Sequence, residues 1–293
     1  MLPGLNLPAS LAGLLMMLRP VFTGPSFRTF CGLVAGLCGQ VRRRTVCGML
    51  AGAGLGWCWP HDRAHYFFAR AAWDLDELGL AVARLVAALL VPEGEPIEVA
   101  VDDSVFRRSG RKVWGAAWQH DGSSPARSKL SFGNCFVTAG IVVRLPFLAR
   151  PACLPVLARL HVPGRGRAVK PRRQAAPASA VSAAAALVTL LAGAFPGRRI
   201  DVVADAHYHG PALRDLPATV TWTTRLPKNA VLFAPAPPRS ASPAGRPARG
   251  PGWAPRRTWP PPRPGPRPRC TSTAGTPLKT WPRSPACGTA AWT

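Results

Sequence analysis

Two apolar runs of strand character each end on carboxylates. Ile97-Glu98-Val99-Ala100-Val101 leads into Asp102-Asp103, and Ile200-Asp201-Val202-Val203-Ala204 leads into Asp205. Strands are expected over 97–103, 112–118, 134–145, 200–205 and 219–226. Segments 113–118 and 136–143 read as antiparallel neighbours of the first strand, joined by the turn His120-Asp121-Gly122-Ser123. Strands 200–205 and 219–226 are separated by a helix-length connection, which suits a parallel pair. Residues 1–92 read as mainly helical. Asp74 and Glu77 have capping-box spacing with Asp in place of Ser or Thr. The run Leu78–Leu90 that follows is apolar on more than one face, as in a buried core helix. Val91-Pro92-Glu93-Gly94-Glu95-Pro96 ends it, since proline excludes helical geometry from the residue before it. Further helices are expected at about 175–195 and near 210–216.

These elements predict an α/β chain, α+β overall, in three parts. Residues 1–92 form a helical region. Residues 93–235 form a mixed-sheet domain, whose antiparallel hairpins followed by a βαβ unit have the order of a ribonuclease-H-like domain. Residues 236–293 form a disordered Pro/Arg/Ala/Gly-rich tail. Of those 58 residues, 39 are Ala, Gly, Pro or Arg, and Leu278 is the only aliphatic residue larger than alanine. Such a segment buries too little apolar surface to offset its ordering entropy. The same residue types come from GC-rich codons, so the tail is expected to be the product of a shifted reading frame and the sheet domain to be incomplete.

Charge narrows the partners. The chain of 293 residues carries 37 Lys and Arg against 13 Asp and Glu, a net +24. Residues 216–293 hold 12 of those cations and no acid, which is half of the excess. Such a balance implies a polyanion, with DNA or RNA ahead of an anionic membrane surface. No apolar run reaches the roughly 18 residues a spanning helix needs. Leu11–Leu18 is too short and has no basic stretch before it, so a secretory signal is not expected. The eight cysteines lack C-x-x-C spacing and are expected to be buried thiols in a reducing cytoplasm.

The carboxylates carry the chemistry. An acid where a buried strand emerges is costly unless it binds a metal or a charged partner. Acids from two strands, brought together in a basic protein, point to metal-dependent phosphodiester chemistry. The segment Val101-Asp102-Asp103-Ser104-Val105-Phe106-Arg107-Arg108-Ser109-Gly110-Arg111-Lys112-Val113-Trp114 resembles the first catalytic block of DDE-superfamily transposases of bacterial insertion sequences. Asp201-Val202-Val203-Ala204-Asp205-Ala206-His207-Tyr208 resembles their second block, and Val220–Leu226 the strand after it. Pro25–Phe30 and His61–Phe68 resemble the family's N-terminal region, and the likeness covers about residues 18–235.

That resemblance implies a DNA endonuclease and strand transferase using two metal ions, Mg²⁺ (or Mn²⁺). It implies transposon ends and target DNA as partners, a DNA-binding role for the helical region 1–92, possible homo-oligomers, and a cytoplasmic, nucleoid-associated location with no membrane. The first acid falls at Asp103 or Asp102. Asp103 is preferred because a hydroxyl residue, Ser104, follows it, and with Asp205 it would hold the metal. The family's third acid is a glutamate on a later helix. No Asp or Glu follows Asp215, so catalysis is expected to be incomplete. The alternative is a basic, non-enzymatic DNA-binding remnant competing at transposon ends. Arg42, Arg43, Arg44, Arg107, Arg108, Arg111 and Lys112 are the expected phosphate contacts. His61 and His65 share a helix face, but Asp62 stands where the zinc-protease pattern has Glu and no third ligand is evident, so a packed helix is expected.

Overall fold

In a computed structural model, residues 7–40, 45–110, 112–125, 127–162 and 179–225 are described. Five helices come first: α1 (Ala9–Met17), α2 (Gly24–Gly39), α3 (Val46–Gly52), α4 (His61–Ala69) and α5 (Leu75–Leu90). Four strands follow: β1 (Ile97–Arg107), β2 (Ala117–His120), β3 (Leu130–Val143) and β4 (Ala152–His161). Then come α6 (Ala180–Ala194), β5 (Ile200–Ala204), a 3-10 turn at Pro211–Leu213 and β6 (Val220–Thr224). Described residues up to Asp121, with Leu130–Thr224, make one unit.

The sheet runs β2-β3-β1-β5-β6, with β4 also on β3. β1 is antiparallel to β3 and parallel to β5, and β5 is parallel to β6. Gly133 pairs with both Arg107 and Ala117, and Cys135 with both Val105 and His161. β2 and β4 therefore share the edge of β3 that faces away from β1. This is the mixed sheet expected of a ribonuclease-H-like α+β fold.

Alternation along the strands sorts the two faces. Ile97, Val99 and Val101 of β1 join Val137, Ala139 and Ile141 of β3 and Ile200 and Val202 of β5 in one core. Ala83, Val86 and Ala87 of α5 and Ala183, Ala184, Leu187 and Val188 of α6 complete it. The other face carries Phe106 and Val203, which are 50% and 58% exposed. A second apolar cluster, centred on Phe22, Phe27, Leu33, Leu50 and Phe67, lies among the earlier helices, with Leu78 of α5 packed against it. α5 begins at Asp74, whose Oδ1 accepts the backbone N–H of Asp76 (2.8 Å) and Glu77 (3.1 Å). α6 begins with a reciprocal capping box between Ser179 and Ser182.

α5 is fastened to β4 by a forked ion pair, Arg159 to Asp76, with Nη2 to Oδ2 at 2.6 Å. Close approach there requires glycine. A Cβ on Gly79 would sit 2.4 Å from Leu157 Cδ2 and 2.5 Å from the Val156 carbonyl oxygen.

Several expectations are corrected. Segment 112–118 is not a strand beside β1. Residues 113–116 turn, closed by Ala116 N–H to the Val113 carbonyl and by Gly115 at φ 74°, so only 117–120 pairs, and with β3. β4 was not foreseen. Pro155 interrupts its sequence signal, and the strand is tolerated because among the described residues it pairs on one side only, opposite an irregularity at Ala139/Gly140. The helix near 210–216 is only a 3-10 turn. α5 buries one stripe rather than its whole surface, since Leu75 and Leu89 are 51% and 59% exposed. Of the six described cysteines, Cys31 and Cys135 are buried, while Cys38, Cys47, Cys58 and Cys153 are exposed. Residues 226–293, and hence the tail, lie outside the described residues.

Gly79→Ala is expected to destabilise the fold by about 1–3 kcal/mol, the usual cost of overpacking a rigid contact. A urea titration of the variant against the parent chain measures it. An unchanged midpoint would show that α5 can move away from β4.

Candidate metal centre

β1 and β5 run side by side in the same direction. β5 ends at Ala204, whereas β1 continues past this point to Arg107, paired with β3 alone, so the expected end of the first strand at 103 is extended. The register Glu98↔Asp201, Ala100↔Val203, Val101↔Ala204 puts Asp102 and Asp205 one step beyond the last pair, on the same face. Neighbouring strands are about 4.8 Å apart, so the two carboxylates are adjacent. The surroundings of Asp102 raise its pKa. Burial pushes its carboxyl above the ordinary range, the Asp103 N–H lowers it, and the charges of Asp103 and Asp205 raise it again.

Asp103 points the other way, onto the core face. Its Oδ1 accepts the Tyr208 hydroxyl at 3.1 Å and its Oδ2 the Cys135 thiol at 3.4 Å. Both donors are buried. Burial pushes the Cys135 thiol up to about 12, with Asp103 adding to the shift, and burial raises Tyr208 as well. Both groups therefore stay protonated and keep donating. His161 of β4 lies near the same carboxylate. Burial lowers its pKa, Asp103 partly restores it and His207 lowers it further. Its Nδ1 has no hydrogen-bond partner among the described residues.

Asp205 is set by its own turn and by β6. Its Oδ1 accepts the Ala206 N–H at 2.5 Å, and its backbone carbonyl accepts Tyr208 N–H at 2.9 Å and the Thr224 hydroxyl at 2.6 Å. Trp222 Nε1 donates to the Tyr208 carbonyl at 3.2 Å. The turn that carries Asp205 thus also delivers Tyr208 to Asp103. Tyr208 lay within the segment resembling the second block, but only a packed structure could show its hydroxyl reaching Asp103. Cys135 gave no sequence signal beyond being a buried thiol.

The basic residues divide. Arg107 gives Nε (3.2 Å) and Nη2 (3.0 Å) to Asp121, which also accepts the Ser131 hydroxyl at 2.7 Å. Arg108 Nε donates to Asn134 Oδ1 at 2.9 Å. Both hold the β1–β2–β3 corner. Lys112 is exposed. Arg42, Arg43, Arg44 and Arg111 lie outside the described residues. The donors at Asp102 and Asp205 suit a hard divalent ion such as Mg²⁺, which takes one or two carboxylates and keeps several positions for water and substrate. Among the described residues, no helix is long and apolar enough to cross a membrane.

A family model described as DDE superfamily endonuclease matches residues 18–283, past residue 235 and into the Pro- and Arg-rich stretch. No curated protein matches the chain, and no solved structure does.

Tyr208→Phe is expected to cost about 1.5–3 kcal/mol, the range for a hydrogen bond to a charged group, read from thermal or urea unfolding. The raised carboxyl of Asp102 has a signed consequence. The folded state holds that proton more tightly than the unfolded chain, so this contribution to stability falls as pH rises from the ordinary carboxylate value through the raised one. In metal-free buffer, Asp102→Asn is expected to remove that decline from a plot of melting temperature against pH.

Proposed function

Since the chain belongs to the DDE superfamily endonucleases, we propose that it is a transposase-like DNA-processing protein whose divalent ion is held between Asp102 and Asp205, with Asp103 behind them rather than as the ligand. The observation that carries this reading is that Asp102 of β1 and Asp205, just past β5, stand one step beyond the last parallel β1–β5 pair. A bound divalent ion there would stabilise charge developing on a scissile phosphodiester. The chain's own groups prepare the site. Asp102 and Asp205 offer oxygens on the outer face. Asp103, fixed by Tyr208 and Cys135, adds a third negative charge behind them. Thr224 and Trp222 hold the turn that carries Asp205.

The helices before β1 are proposed to add DNA contacts. Thr23, Ser26, Thr29, Arg63 and Arg70 line a cleft there. Arg63 stacks on Trp59 at 4.0 Å and donates Nε to Thr29 Oγ1 at 3.0 Å, which presents a guanidinium on a fixed stem. The exposed Lys112 and the basic segments outside the described residues would add sequence-independent affinity.

Complete transposition is not part of this proposal, because no Asp or Glu follows Asp215. Two strand-end sites without the later glutamate should bind metal weakly and support slow nicking at most. The test is calorimetric Mg²⁺ or Mn²⁺ binding with a nicking assay on duplex DNA. Asp205→Asn is expected to lower metal affinity at least about tenfold and to abolish nicking. The shared face further predicts that Asp102→Asn costs more affinity than Asp103→Asn. The reverse order would place the ligand on the inner face, as the Asp103-Ser104 pairing suggested. Metal-dependent cleavage that survives Asp205→Asn would overturn the site, and efficient strand transfer would overturn the incompleteness.

The charge of +24 favours a second reading, a DNA-binding protein without catalysis. Its signature is affinity that falls steeply with salt, by roughly 10³-fold or more between 50 and 200 mM for six or more phosphate contacts, and that is indifferent to Mg²⁺. Filter binding across salt, with and without Mg²⁺, separates the two readings.

A further inference from the structure

Cys47, His61 and His65 converge on one point at the surface of the helical layer, far in sequence from the aspartates. Cys47 lies in the first turn of α3, where the Thr45 hydroxyl accepts the Gly48 N–H at 3.0 Å and fixes the helix start. His61 opens α4, and His65 follows one turn later on the same side. His61 Nε2 is 3.2 Å from Cys47 Sγ and 3.2 Å from His65 Nε2. All three ligand atoms lie within 4.8 Å of one another, and all three residues are exposed.

Hydrogen bonding accounts for only part of this. A neutral imidazole nitrogen carries either one proton or one lone pair. His61 Nε2 can therefore make one good hydrogen bond, yet it has two close polar neighbours. Nor do the rings stack, since their planes meet at 41°. A shared cation explains both contacts. Zinc bonds of about 2.0–2.1 Å to nitrogen and about 2.3 Å to sulfur at tetrahedral angles set ligand atoms roughly 3.3–3.6 Å apart. Asp62 Oδ1 stands 3.6 Å from His61 Nδ1, on the ring nitrogen that such an ion would leave protonated. At that distance Asp62 is an ion-pair neighbour of the ring rather than a hydrogen-bond acceptor.

We propose that Cys47, His61 and His65 bind a borderline-soft transition ion, Zn²⁺ by preference, which clips the start of α3 to α4. One thiolate and two imidazoles select such an ion over the hard cation suited to the aspartates. The fourth position faces solvent and takes water. The sequence spacing is C-x13-H-x3-H, and without a second cysteine beside the first it carries no recognisable zinc signature. Cys47, which that spacing does not single out, is the residue the fold brings beside His61 and His65.

Co²⁺ is the probe. The full chain, stripped with a chelator and titrated with Co²⁺, is expected to take up one ion with a thiolate-to-cobalt charge-transfer band and the intense visible bands of a tetrahedral site. Zn²⁺ should displace it. Cys47→Ser is expected to remove the charge-transfer band, and His61→Ala and His65→Ala to weaken Zn²⁺ binding at least about tenfold. Asp205→Asn, Cys38→Ser and Cys58→Ser should leave the band intact, which separates this site from the aspartates and from the other exposed thiols of the same region. Because the three ligands are exposed, the variants should keep the helical circular dichroism of the parent. Absence of the charge-transfer band, its persistence in Cys47→Ser, or unchanged Zn²⁺ affinity in both histidine variants would overturn the proposal.

Discussion

β1 is hydrogen-bonded on both edges, antiparallel to β3 and parallel to β5, and this double pairing sets the position of every group in the candidate centre. A strand paired on both sides cannot slip by one residue without turning Val99 and Val101 out of the core. Two consecutive aspartates midway along it must therefore point to opposite faces. The parallel register with β5 then sets Asp102 beside Asp205, while Asp103 is left to face the core.

A carboxylate on the core side needs donors, and the fold provides two that stay protonated, Tyr208 and Cys135. Tyr208 reaches Asp103 only because the turn after β5 is itself tied down, by Thr224 to the carbonyl of Asp205 and by Trp222 to that of Tyr208. β6 thus supports the centre without contributing a charge to it. On the outer face the charges of Asp103 and Asp205 add to the upward shift of Asp102, and a cation beside it would lower that cost.

The helical layer is joined to the sheet through α5, which belongs to both apolar clusters. Its first turn is held by the Asp76–Arg159 fork and its third residue pair by the contact that Gly79 permits. The same economy of long-range contacts brings Cys47 to His61 and His65. Residues from separate helices become one cluster only when α3 and α4 are packed, so a search by spacing alone passes over them.

The amino-acid sequence by itself determined the elements that local chemistry dictates. The Asp74 cap, the break at Pro92, the apolar runs of β1 and β5 and the parallel β5–β6 pair were all legible, because capping, proline geometry and alternation act within a few residues. The apolar runs also drew attention to Asp102, Asp103 and Asp205, since a carboxylate that follows a buried apolar run is costly wherever it occurs. Tertiary structure alone decided what depends on register and partner. It showed β4 despite Pro155, moved the pairing of β2 from β1 to β3, turned Asp102 and Asp103 to different faces, and gave Tyr208, Cys135 and Cys47 their neighbours. These outcomes rest on contacts between residues tens of positions apart, which no local pattern encodes.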